Sequence, residues 1–292
     1  MIKKVLVPLT GRPLDRRAIA TAFLLATRFR AHVEGLSVMP QVEIRTSVES
    51  AAIPKALVEQ LIRIGQEDQA RVIDSAHDLF EEFRNRFGAA EADSLTGGGE
   101  DADGLSASWQ QATGPLAETL AEEARLADLV VIAQTSDRTN AMGPAIEATL
   151  FGSGRPLLLA PAAEPASVGS AVAVAWDGGA AASRAVAAAL PLLQRAGKAV
   201  ILSAEVADPG RTADPDRLSA YLALHGVAAT IRKVTASGRA VGRALQETAA
   251  EAGCDLLVMG AYGHSRVRER VWGGVTLDVL REPPAIPIFM AH

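Results

Sequence analysis

The chain has 292 residues, 49% of them hydrophobic and 22% charged, with 29 Lys and Arg against 34 Asp and Glu for a formal charge of -5. That is the make-up of a packed globular chain of about two domains. Without a basic stripe it gives no electrostatic ground for nucleic acid or an anionic membrane as partner. The single cysteine, Cys254, excludes an internal disulfide. No stretch approaches the roughly eighteen apolar residues of a membrane span, and the start, "MIKKVLVPLTGRP", is too soon ended by Pro8 for a secretory signal. The expectation is a soluble, cytoplasmic protein.

In chain order, "KKVLVPLTGRPLDRRAIATAFLLATRFRAHVEGLSV" sets an apolar run, a polar turn, a helical stretch and a second apolar run. A long polar helix is expected at about 54–87, then the acidic, glycine-rich loop "TGGGEDADG" (96–104), whose composition predicts a solvated, mobile segment. "LADLVVIAQTSDR" (126–138) places Asp128 before a buried-strand pattern, and "RPLLLAP" (155–161) closes the half on a Pro and an apolar run. "APAAEPASVGS" (160–170) reads as a linker.

From Gly169 the chain repeats itself. "GSAVAVAWDGGAAASRAVAAALPLLQRAGKAVILSAEV" echoes the opening, "GCDLLVMGAYGHS" (253–265) aligns Asp255 with Asp128, and "IPIFMAH" (286–292) echoes "RPLLLAP". A duplication explains all three echoes together. Strands are predicted at 171–176, 199–205, 228–234, 255–259 and 286–290, with helices at about 180–196, 214–225, 238–252 and 274–282. Short apolar strands alternating with helices imply an α/β fold, a parallel sheet covered by helices on both faces.

In such a sheet ligands lie outside the carboxyl ends of strands, where the strand order reverses. Two segments of the second half could be brought there. "AWDGG" (175–179) ends its first strand, and "GAYGHSRVRERVWGGVT" (260–276) follows its fourth. Gly260 and Gly263 would let backbone N–H groups approach an anion, and Gly273 and Gly274 would open a helix whose free N–H groups favour phosphate. Thr276 could add a hydroxyl, and Arg266, Arg268 and Arg270 could add charge. The bland readings stand beside these: glycines of an ordinary turn, arginines of a solvated rim, His264 as an exposed loop residue, Asp177 as a turn and helix-start residue. Cys254 reads as inert core. His32, His77, His225 and His292 have no metal-ligand spacing.

Gly260, Gly263 and Gly273, at spacings of two and nine intervening residues after a "DLLVMG" strand and before "PIFMAH", resemble the nucleotide signature of the universal stress proteins. The resemblance covers nearly the whole chain as a tandem pair, residues 1–161 and 168–292. It implies two repeated domains, each an open five-stranded parallel sheet in the order 3-2-1-4-5, packed as an intramolecular pseudo-dimer through their last strands, with a homodimer as a further assembly. It also implies an adenine nucleotide (ATP, ADP or AMP, with Mg if triphosphate) in the second half. The residues matching that site are Ala175, Trp176 and Asp177 after the first strand; Glu205 and Val206 after the second; and Met259, Gly260, Ala261, Gly263, His264, Gly273, Gly274, Val275 and Thr276 in the loop. Gly274 departs from the family's Ser or Thr, a lost neutral hydrogen bond of about 0.5–1.5 kcal/mol.

The first half departs further, with Ala133 and Ser136 for the first two glycines and Thr10 for Asp177. It reads as a degenerate, structural partner. Three functions compete: a stress-response module that binds nucleotide without turnover, a nucleotide-free scaffold acting through protein partners, and a slow ATP hydrolase. The last ranks lowest, because no water-positioning residue stands out.

Overall fold

The computed structural model describes residues 1–40, 55–92, 104–134, 142–204, 213–235, 240–263 and 274–292. The loop at 96–104 lies, except for Gly104, outside them, as do Glu205, Val206, His264, Gly273, Ser136 and the three loop arginines.

The first repeat runs β1 (Lys4–Leu9), α1 (Asp15–Phe29), β2 (His32–Met39), α2 (Lys55–Arg86), β3 (Ala90–Glu91), β4 (Ser106–Thr113), α3 (Leu116–Ala124), β5 (Leu129–Ala133), α4 (Met142–Ala148), a π-helical turn (Thr149–Ser153) and β6 (Leu157–Ala160). The second runs β7 (Ala171–Ala175), α5 (Ala180–Arg195), β8 (Lys198–Ala204), α6 (Pro215–Leu224), β9 (Ala229–Val234), α7 (Val241–Glu251), β10 (Leu256–Gly260), α8 (Val275–Val279) and β11 (Ile288–Ala291).

All these strands form one sheet, in the order β3-β4-β2-β1-β5-β6-β11-β10-β7-β8-β9. Counted within each repeat, the main strands fall in the order 3-2-1-4-5, as the family resemblance implies. The first repeat adds β3, a two-residue strand beside β4 that no alternation pattern announces. Every pairing is parallel except one: β6 and β11 run antiparallel, with Leu157, Leu158 and Leu159 opposite Met290, Phe289 and Ile288. The expected joining of the two last strands is therefore present, and the pair Leu158–Phe289 sits at its centre.

The strands are apolar because helices cover both faces. On one side Val7, Val131, Leu158, Val174 and Phe289 pack under α1, α2, α5 and α6; on the other Leu6, Val130, Leu157, Met259 and Ile288 pack under α3, α4 and α7. Both cores run unbroken across the β6–β11 junction. Pro8, which has no N–H to donate, stands beyond the last β1–β5 pair, Leu6 with Val130.

The aspartates that betrayed the duplication do one job in both halves. Asp128 accepts from the amides of Lys3 and Lys4, and Asp255 from those of Ser170 and Ala171, so each carboxylate ties the start of strand four to the start of strand one. Cys254, just before the second of them, is buried, and that burial pushes its thiol above the ordinary value.

Candidate functional site

The crevice forms where β7 and β10 lie side by side, with Val172, Ala173 and Val174 opposite Leu256, Leu257 and Val258. The alternating order of the sheet sends the chain away in opposite directions from these two strands, which opens a gap at their carboxyl ends.

Ala175, Met259 and Ala261 are buried there. Trp176 packs its ring against the core beneath α5 and donates its amide to the Leu202 carbonyl. Asp177 follows. Its Oδ1 accepts the Gly179 amide at 2.8 Å, at the entry to α5. Its Oδ2 faces the glycine loop: a Cβ built on Gly263 would lie 3.7 Å away from it. The two segments that the sequence places apart therefore meet, and Asp177 serves as both turn residue and wall of the crevice.

The two glycines of the loop differ in role. A Cβ on Gly260 would fall 2.4 Å from the Ala182 nitrogen and 2.7 Å from the Ala181 carbonyl carbon. Gly260 is thus needed for α5 to pack on the end of β10, whatever binds nearby. Gly263 is exposed, and a Cβ there would make only ordinary contacts. Packing around Gly263 does not require a glycine, unlike that around Gly260.

Between them, Tyr262 adopts a left-handed conformation with φ 53°, which costs a non-glycine residue about 1–2 kcal/mol. Thr276 and Phe151 both hold it. The Thr276 hydroxyl accepts its amide at 2.9 Å, and its ring packs against Phe151 of the first repeat at 5.0 Å between centroids. The neighbouring Ala261 donates its amide to the Ala291 carbonyl, and its own carbonyl lies 3.1 Å from His292 Nδ1. Thr276 is buried, so its hydroxyl fastens the loop instead of lining the crevice.

Gly274 stands at the start of α8 with φ -82° and ψ 155°, an extended backbone that Ser or Thr would also adopt, and among the described residues no side chain caps the helix. Val275, next along, is half-buried. Among the described residues no cluster of three or more His, Cys, Asp or Glu could hold a metal ion.

The equivalent turn of the first repeat is filled from within. Asp15 accepts the amides of Thr10 and Gly11 at 2.7 Å each and that of Arg12 at 3.3 Å, and the Thr10 hydroxyl at 3.0 Å. Asp15 is fully buried. Burial pushes its carboxyl above the ordinary 3.8, and the four hydrogen bonds pull part of the way back. Ala133, at the place of Gly260, is buried.

No protein-family model matches this chain, and no curated protein matches it. Solved structures do. A universal stress protein from Archaeoglobus fulgidus matches over 99% of this chain and 97% of its own, with a TM-score of 0.65 at 14% identity. A protein described as functionally unknown, from Pseudomonas aeruginosa, matches over 99% and 92%, with a TM-score of 0.53 at 16% identity. The chain has the fold of the universal stress proteins, as two repeats along its whole length. Among the described residues no helix is long and apolar enough to cross a membrane.

Proposed function

We propose that this chain is a tandem universal stress protein whose second repeat, residues 168–292, binds an adenine nucleotide, while the first, residues 1–161, is its structural partner. The protein would serve as a stress-response binding module, without turnover. The observation that carries this reading is the asymmetry between the two turns. In the first repeat a carboxylate of the chain itself, Asp15, takes up the backbone amides after strand one. In the second, Ala182 stands at that helix position, the Gly179 amide is taken by Asp177, and exposed Gly263 faces the other oxygen of that carboxylate across the gap. Backbone amides in an open, glycine-lined turn suit a phosphate or ribose oxygen.

Within this reading Ala175 offers backbone groups, Asp177 meets the nucleoside side, and Gly263 and Gly274 flank the phosphates. Glu205, Val206, His264 and Gly273 are assigned by the family motif alone. Mg would enter with a triphosphate through Asp177. The loss of a Ser or Thr hydroxyl at Gly274 places the dissociation constant on the order of micromolar to sub-millimolar.

Calorimetry with ATP, ADP and AMP tests the proposal, on the wild type and on Gly274→Ser. The substitution suits the extended backbone there and should tighten binding several-fold. No heat from either protein with any of the three nucleotides would leave the nucleotide-free scaffold as the function.

A further inference from the structure

The first repeat contributes a side chain to the loop of the second. Phe151 belongs to the π-helical turn Thr149–Ser153, yet its ring lies 5.0 Å from that of Tyr262 and 4.5 Å from that of His292. His292 is within 3.1 Å of the Ala261 carbonyl through Nδ1. One aromatic group thus touches both the residue in the left-handed conformation and the group bonded to its neighbour. A left-handed tyrosine persists only where its surroundings over-determine it.

We infer that Phe151 is a positioning residue for the second repeat's crevice: it holds Tyr262 left-handed, which presents Gly263 toward Asp177, and so couples the junction between repeats to ligand affinity. The affinity half of this inference rests on the nucleotide reading; the positioning half does not. Coupling of this kind is reciprocal, so a ligand that needs the held loop also tightens the junction.

Two measurements on the full-length chain test it. Hydrogen exchange without ligand should show the Ala261 and Tyr262 amides of Phe151→Ala exchanging at least about fivefold faster than wild type. The Trp176 amide, bonded to Leu202 in the same crevice, should keep its rate. Phe151→Tyr, which retains the ring, should restore the slow exchange. By calorimetry, ATP should bind Phe151→Ala at least about fivefold more weakly, with little change in melting temperature. Unchanged exchange at Ala261 and Tyr262 overturns the inference. Faster exchange in a protein whose wild type binds no nucleotide removes the nucleotide reading and leaves the positioning role standing. Faster exchange with undiminished affinity overturns the coupling. If Phe151→Ala loosens the whole fold, Phe151→Leu is read by the same criteria.

Discussion

Arg28 donates from Nη2 to the Arg195 carbonyl at 2.9 Å, and Arg195 donates from Nη1 to the Arg28 carbonyl. The two arginines occupy matching places near the ends of α1 and α5, so the exchange is a signature of the pseudo-twofold axis through Leu158 and Phe289. Arg195 also lies over the Phe29 ring, 4.5 Å from its centroid. Each guanidinium uses a backbone acceptor that survives removal of the other side chain. Arg28→Ala and Arg195→Ala should each cost about 0.5–1.5 kcal/mol, and the double mutant should be additive to within about 0.5 kcal/mol. Urea denaturation of the four proteins measures this; a coupling energy well above that bound would mean that the guanidinium groups support each other directly.

The two glycines of the loop should separate by experiment. Gly260→Ala forces a methyl against the Ala182 nitrogen and should destabilise by about 1–3 kcal/mol, as overpacking does. Gly263→Ala should leave the melting temperature unchanged, while Gly263→Val should block nucleotide without unfolding the chain. Equal stability losses at the two positions would show that Gly263 too is a packing glycine.

Thr276→Val keeps the shape of the side chain and removes the acceptor for the Tyr262 amide. A buried N–H left without a partner costs about 1–3 kcal/mol. The melting temperature should fall, and a fall would not depend on any ligand. A neutral substitution would place the fastening of the loop elsewhere.

Asp15 makes a prediction about pH. Because burial raises its folded-state value above 3.8, the native chain holds this proton to higher pH than the unfolded chain does. Its contribution is full below the unfolded value and is lost as pH rises through the folded one. Wild type should therefore gain stability relative to Asp15→Asn as pH falls from 7 toward the window just above 3.8. A gap that narrows on acidification would mean that the four hydrogen bonds outweigh burial.

The second repeat was legible almost to the residue, because short apolar strands alternate there with helices of clear period. Predicted strands at 171–176 and 228–234 are observed at 171–175 and 229–234. The helix expected over 274–282 stops at Val279, whose carbonyl would need an amide from position 283, where Pro283 has none to donate. The meeting of Asp177 with Gly263 followed from strand order, which the family resemblance supplied and periodicity could not. The division of labour between Gly260 and Gly263 was illegible: it depends on how close α5 comes, and nothing local encodes that. Nor did the sequence mark Phe151, whose partner Tyr262 lies in the other repeat, or Asp15, which resembles any acidic residue opening a helix. The signal available for Asp15 was its place in "TGRPLD", five residues after the hydroxyl it engages.

The antiparallel seam between β6 and β11 has both strands in a single chain. Two separate subunits joined by such a seam would part on dilution; these cannot, because the linker keeps each strand in the neighbourhood of the other at every protein concentration. The melting temperature of the monomer should accordingly not vary with concentration. Covalent union also fixes which half meets which. One partner can then shed its open turn and fill it with a carboxylate while the other keeps its own, a division that freely exchanging identical subunits could not maintain.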